Sequence, residues 1–460
     1  MNEIKNKITS SLSAMEKANK SEISKLCDRV LLTDYAHLTR ECSHGIIWTD
    51  ALQQALLEHE IVEIPSEKAP YYIDRTVIIP SGRRIEAWRA VLCLTPECRT
   101  VMLRNEHTHD GTHAPIDTAD RDRNISISGG CFAETQSARK GYGESGRYSE
   151  EDGGFFGVST CMLFNNIDGL TLENVTFRNT AGFALQLGDA ENAVFDNIWF
   201  DRCFADGLHI NGGCENILAR NIYGEVGDDL VALNAYDWQN SSVNFGAIRN
   251  VLCENLNLAP MSPYKALRME PGIYTYDDGK QVDCGLFDIV IKNVIGIKTF
   301  KIYMQTPPYR IGESPEKGDV GSADNIFFDG IRADLNGPID CFPEYVRGDK
   351  TRGSFALFEL GTNIGTLTLE NIDLILHRDE FPLSYLACIG PKSIVCGDKE
   401  VFDPYLSCHA DNVHIKNLRV NGSICENAVP LMHEICFDNV NEDGTSSGKG
   451  TFGSIFLDSK

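Results

Sequence analysis

Residues 170–222 read LTLENVTFRNTAGFALQLGDAENAVFDNIWFDRCFADGLHINGGCENILARNI, and one phrase occurs in them three times. It runs apolar-x-apolar-x-Asn-apolar: LTLENV ends at Val175, VFDNI at Ile198 and LARNI at Ile222. The phrase returns as VLCENL ending at Leu256, IVIKNV at Val294, LTLENI at Ile372 and VHIKNL at Leu418. FFDGI, ending at Ile331, carries Gly330 in the Asn place. Alternation over four or five residues marks a strand, and a fixed Asn after it marks a sharp turn that tolerates left-handed backbone. The first Asn stations, Asn174, Asn197 and Asn221, are 23 and 24 residues apart; the next two steps, to Asn255 and Asn293, are 34 and 38. The longer steps read as loops inserted at a fixed corner. One such unit cannot bury its own apolar side, but stacked coils share a core and pair backbones at ~4.8 Å. A propeller blade, at ~40–50 residues, is too long for this period. The expectation is an all-β chain wound as a parallel β-helix.

Composition agrees and narrows the partners. Of 460 residues 42% are apolar and 40 are glycine, enough for a large core with many turns. Lys and Arg total 42 against 66 Asp and Glu, a net charge of −24. That balance argues against nucleic acid, whose binding rests on neutralised phosphates. It also works against an anionic substrate unless local basic residues offset it, and its plainest meaning is solubility. The opening MNEIKNKITSSLSAMEKANK is polar, and no run reaches the ~20 apolar residues of a membrane span. The 16 cysteines contain no CxxC pair, so free thiols and a cytoplasmic location are expected. Residues 1–60 read as a helical leader, with Asp50 capping a short helix over 51–59 that covers the first coil. Residues 61–460 read as the β-helix.

At this coil length, residues 23 apart are stacked neighbours, which puts Asp206 one coil from Asp229 with Asp228 beside them. Three carboxylates on one patch are costly unless one keeps its proton. The chemistry they suit is glycoside hydrolysis, where one carboxylic acid protonates the leaving oxygen and a carboxylate activates water. The plainer reading is that DG and DD are turn residues, but here they recur at the coil period, each before a core strand.

CFADGLHI followed by EVGDDLVALN resembles the NTDG and GDD motifs of glycoside hydrolase family 28, the polygalacturonases and their relatives. SHGIIWTDALQQALLEHEIVEIPS is similar to that family's opening helix and first strand. The resemblance covers roughly residues 45–310 and is specific around 200–235. It implies a right-handed, pectin-lyase-like parallel β-helix and an inverting hydrolase with no metal or cofactor. By position it implies Asp228 as general acid, with Asp206 and Asp229 activating water. The chain departs from the family at Phe204-Ala205, which replaces Asn-Thr. No His stands between His209 and His377, so the GHG histidine has no counterpart, and FKIY at 300–303 replaces RIK.

The same coil alignment puts Gln186, His209, Ala232, Arg268 and Tyr303 in one outward column, with Lys301 as a weaker candidate. His209 is a substrate or proton-network residue, or a surface His bonded to the next coil. Arg268 binds sugar hydroxyls or a carboxylate, or balances the acidic cluster. In AYDWQNSSVNFG, residues 235–246, Tyr236 and Trp238 offer rings for a sugar or anchor their own loop, and Asp237 offers a hydroxyl contact. His107, His109 and His113 with Asp110 sit in a glycine-containing loop with no strand to fix ligand geometry, so no metal is expected there. The charged loop 137–154 is solvated or roofs the cleft. The reading is a hydrolase of oligosaccharides, with a homo-oligomer allowed. The competing readings are a uronate lyase or epimerase, and a non-catalytic carbohydrate-binding β-helix.

Overall fold

The computed structural model describes residues 2–98, 100–109, 111, 120–139, 160–237, 241–276, 278–303, 320–337, 355–390, 392–395, 399–402, 407–435 and 448–458. The chain winds as a right-handed parallel β-helix with three faces, the handedness that parallel crossover connections take. The first face is the Asn phrase itself: 170–173, 193–196, 217–220, 251–254, 289–292, 326–329, 367–370 and 413–416 pair in parallel, each with the next. The second face follows the Asn corner. The third runs through 185–187, 208–211, 231–234, 267–270 and 300–303. Strands such as Thr160–Arg178 and Phe183–Cys203 bend through corners without a break.

The stations are stacked as the spacing requires. Asn174, Asn197, Asn221, Asn255, Asn293, Asn371 and Asn417 all have φ between 53° and 61°, a region that costs other L-residues ~1–2 kcal/mol. Their amides form a ladder: Nδ2 of Asn197 donates to Asn174 (2.7 Å), Asn255 to Asn221 (2.9 Å) and Asn293 to Asn255 (3.0 Å). Where Gly330 has no amide, Asn371 reaches Asp329 Oδ1 instead, at 2.6 Å. A second ladder, not read from the phrase, stands at the corner before the first face. There Asn192 donates to Asp168, Asn216 to Asn192, Asn250 to Asn216 and Asn325 to Asp288.

Two helices cover the coils in different places. Helix α2, Thr49–Glu58, buries Ala51, Leu52, Ala55 and Leu56 in the core that Val62 and Ile64 also line, so it covers the first coils as expected. Its start differs from the reading. Trp48 holds the N-cap position without a side-chain cap, and the Asp50 carboxylate turns aside to Arg75. Helix α1, Asn2–Ile23, lies along the flank. Ile8 and Leu12 rest on Val194, Leu218, Leu252, Val290 and Phe327, an outward row of the first face. Ion pairs tie its ends to distant coils, Lys5 to Asp329 and Glu370, and Lys20 to Glu173. A 22-residue helix is about 33 Å long, close to seven coil steps at ~4.8 Å. Residues 1–60 are also not wholly helical: Arg29–Leu31 already pairs with Ile61–Glu63. Ten of the thirteen described cysteines carry free thiols, seven of these buried. No helix is long and apolar enough to cross a membrane among the described residues.

Candidate active site

The third face carries the site. Gln186, His209, Ala232, Arg268 and Lys301 stand in one register, each opposite the next. Lys301 takes the place expected of Tyr303. Since a pleat repeats every two residues, Tyr303 falls in the parallel column with Asn211, Asn234 and Glu270. The column faces outward but is covered: Gln186, His209 and Lys301 are at most 1% exposed.

Asp206 and Asp229 stack as the 23-residue spacing requires. The Asp229 N–H donates to Asp206 Oδ1 at 3.1 Å, and the Gly207 N–H donates to Asp229 O at 2.9 Å. Gly207 has to be glycine, since a Cβ there would lie 2.7 Å from the Leu230 carbonyl. One oxygen from each of Asp206, Asp228 and Asp229 lies within 4.8 Å of the others, and all three residues are buried.

Cations divide the three unequally. Arg139 Nη1 sits 2.5 Å from Asp228 Oδ2, and Arg268 is 3.9 Å from its other oxygen. Burial raises the Asp228 carboxyl, but Arg139 and Arg268 outweigh it and hold the group below the usual range. Among the described residues, Asp229 pairs with Arg268 Nε at 3.4 Å, and Lys301 acts on it from further off. Burial lifts it far above the usual range, Arg268 offsets part of this, and Asp228 and Asp206 lift it further. Asp206 is raised by burial and by Asp228, with His209 opposing. Of the three, Asp229 is the carboxyl pushed furthest toward the protonated form. The expectation that Asp228 holds the proton fails because Arg139, on a loop without sequence pattern, comes to rest against Asp228.

His209 is enclosed. Its Nδ1 lies 2.6 Å from Asp206 Oδ2, its Nε2 lies 2.9 Å from Asp237 Oδ2, and Phe183 stacks on it at 3.8 Å. Burial lowers its pKa, but the two carboxylates more than compensate and carry it up to about 9. With both nitrogens taken by protein carboxylates, His209 has no ring nitrogen left for a sugar hydroxyl, and Asp237 spends one oxygen on His209. Gln186 donates to Asn211 Oδ1 (2.8 Å) and to the Ser241 carbonyl (2.7 Å), so it braces the loop after Asp237. Tyr236 is also not a sugar platform: its ring is 7% exposed and packs against Phe245 and Tyr274. Trp238 lies outside the described residues, as do Asp110 and His113.

Arg268 lies over the Tyr264 ring, donates to its hydroxyl at 2.9 Å and pairs with Glu270 at 3.5 Å. Lys301 Nζ stands 5.0 Å from the same ring. Among the described residues no hydrogen bond reaches either carboxylate oxygen of the fully buried Glu270, and burial pushes its carboxyl well up despite Arg268. Sequence reading missed Arg139, Tyr264, Phe183 and Glu270. Glu270 was findable, because it follows Arg268 by two residues on one strand face. Three carboxylates this close could hold a divalent cation, but Arg139 and Arg268 already supply the positive charge. Glu106, His107 and Asp122 also come together, yet Asp122 is already bonded by Ser81, Asn105 and His107.

No family model matches the sequence. No curated protein matches it either. Solved structures do. A tailspike protein variant of E. coli bacteriophage HK620, in complex with a pentasaccharide, superposes with TM-score 0.52 at 10% identity over 93% of this chain. The N-terminal fragment of bacteriophage phi29 gene product 12 gives 0.51 at 12% identity over 85%. The chain spans 64% of each of those two proteins. The exopolygalacturonase of Thermotoga maritima gives 0.49 at 12% identity, with 96% of both chains covered. The likeness is one of fold.

Proposed function

We propose that this protein hydrolyses a glycosidic bond of an oligosaccharide, with Asp206, Asp228 and Asp229 as its acid–base set. One observation carries the reading: three buried carboxylates from successive coils converge within 4.8 Å, and opposed neighbours leave one protonated and another ionised. Such divergence in one site separates an acid from a base. Asp229 is the proton donor to the leaving oxygen. Asp228 and Asp206 are the carboxylates that orient and deprotonate water. Arg268, held between these acids and Tyr264, neutralises charge as the bond breaks. The pentasaccharide on the HK620 tailspike agrees with a sugar ligand on this fold. A lyase would need a neutral Lys or Arg as base, and Arg268, although burial works against its charge, is held charged beside Tyr264 and the ionised Asp228.

Inversion is part of the proposal, although the oxygens are closer than the ~6.5–9.5 Å common to inverting pairs. Proton NMR of the first-formed anomer decides it, since a retained configuration would make one aspartate a nucleophile. The wider test is reducing-sugar release from a panel of neutral and acidic oligosaccharides. Cleavage is expected from the wild type and not from Asp229→Asn. Equal cleavage by wild type, Asp206→Asn and Asp229→Asn would show that the chemistry lies elsewhere.

A further inference from the structure

We propose that Asp206, His209 and Asp237 form a single buried triad in which His209 is a positioning residue that locks Asp206 as the water-facing carboxylate. The inference rests on the hydrolytic reading for the purpose of the triad, though not for its existence.

The geometry is closed on every side. Asp206 is held at both oxygens, by the Asp229 N–H at 3.1 Å and by His209 Nδ1 at 2.6 Å. His209 is in turn fixed at Nε2 by Asp237, 2.9 Å away, and across its face by Phe183. Asp237 stands at the start of the loop that Gln186 braces from the opposite side, through the Ser241 carbonyl. All three members are 5% exposed or less. Two ionised carboxylates around one imidazole favour the charged ring, since a neutral ring can donate from only one nitrogen; the Asn211 amide nitrogen also stands 3.1 Å from Nε2. Among the described residues, the titratable and charged groups beyond the triad are Asp228 and Asp229 at the turn beside Asp206, Arg139 and Arg268 against those two, Lys301, and Glu270. Asp228 and burial both push Asp206 toward protonation, and His209 opposes them. Remove His209, and Asp206 takes a proton before it can accept one from water. A ring buried only for packing would need no second carboxylate.

Two measurements test this. The first uses the full chain with histidine labelled at Cε1 and follows all eleven histidines by NMR against pH. One resonance should titrate near 9, vanish in His209→Asn, and move down by about one unit or more in Asp237→Asn. If His209 titrates near its ordinary 6.5, or is unmoved in Asp237→Asn, the triad does not exist. Asp237→Asn keeps shape and volume, so it serves if His209→Asn fails to fold. The second measurement is the pH profile of oligosaccharide cleavage. In Asp237→Asn the acidic limb should move up by about one unit, with activity recovering at higher pH. A uniform fall at all pH values would reduce His209 to packing. If no sugar is cleaved, the hydrolytic reading fails while the NMR result still decides the triad.

Discussion

Asp229 is the residue whose replacement says most. Asp229→Asn keeps the outline of the side chain and the N–H that holds Asp206, and removes only the proton donor. Its activity should fall ~10²–10⁴-fold, with partial recovery on substrates bearing good leaving groups. Asp206→Asn should show no such recovery, because water still has to be activated. Since Asp229 must carry its proton and Asp206 must lose one, activity should fall on both sides of an optimum. His209 adds a stability term with its own sign. Its pKa is about 9 in the fold against an ordinary 6.5. Its ion pairs therefore stabilise fully below about pH 6.5, and that contribution is lost as pH rises through about 9. The stake is roughly 3 kcal/mol. Urea titrations at about pH 6 and about pH 10 should show the fall in wild type and a flatter response in His209→Asn. Outside the site, Asn221 combines left-handed backbone with two ladder bonds, donating to Asp196 and accepting from Asn255. Asn221→Ala should cost ~1–3 kcal/mol. Asn221→Gly should cost less, because only the bonds are lost.

Among the elements, α1 shows what an outward row is for. Val194, Leu218, Leu252, Val290 and Phe327 point away from the core, yet each is 5% exposed or less because Ile8 and Leu12 cover them. Leu12→Ala should cost ~2–5 kcal/mol, read as a lower urea midpoint. Leu12→Asp should release the helix and expose the row to a hydrophobic dye. The coils were legible because their signal repeats: an apolar alternation ended by Asn needs no knowledge of distant contacts. The flank helix was legible as part of a helical leader, but its docking was not, since its partners lie hundreds of residues away and its own pattern is weak. The row itself did hold a signal. VFDNI, LARNI and VLCENL each place an apolar residue at the alternate position that a solvated face would make polar. The aspartates could be placed because DG and DD recur at the coil period. Their charges could not, because Arg139 arrives from a loop that shares no register with them.

For the molecule as a whole, stability is a sum over neighbouring coils, each contacting little beyond the one before and the one after. Helix α1 breaks that rule. Lys5 joins Asp329 and Glu370, 324 and 365 residues further along the chain, while Lys20 meets Glu173. Helix α1 is therefore synthesised well before one of its docking sites. At 5–20 residues per second, Lys5 waits roughly 20–70 s for Glu370 to be synthesised. During that wait the Lys5 end of the 22-residue helix lacks its partners, while Leu12 can already meet Val194 and Leu218. Ribosome-bound chains stalled near residue 320 should be cut within α1 by a brief protease pulse. Chains stalled some 40 residues or more beyond Glu370 should resist, so the Lys5 end of the helix closes over the flank late.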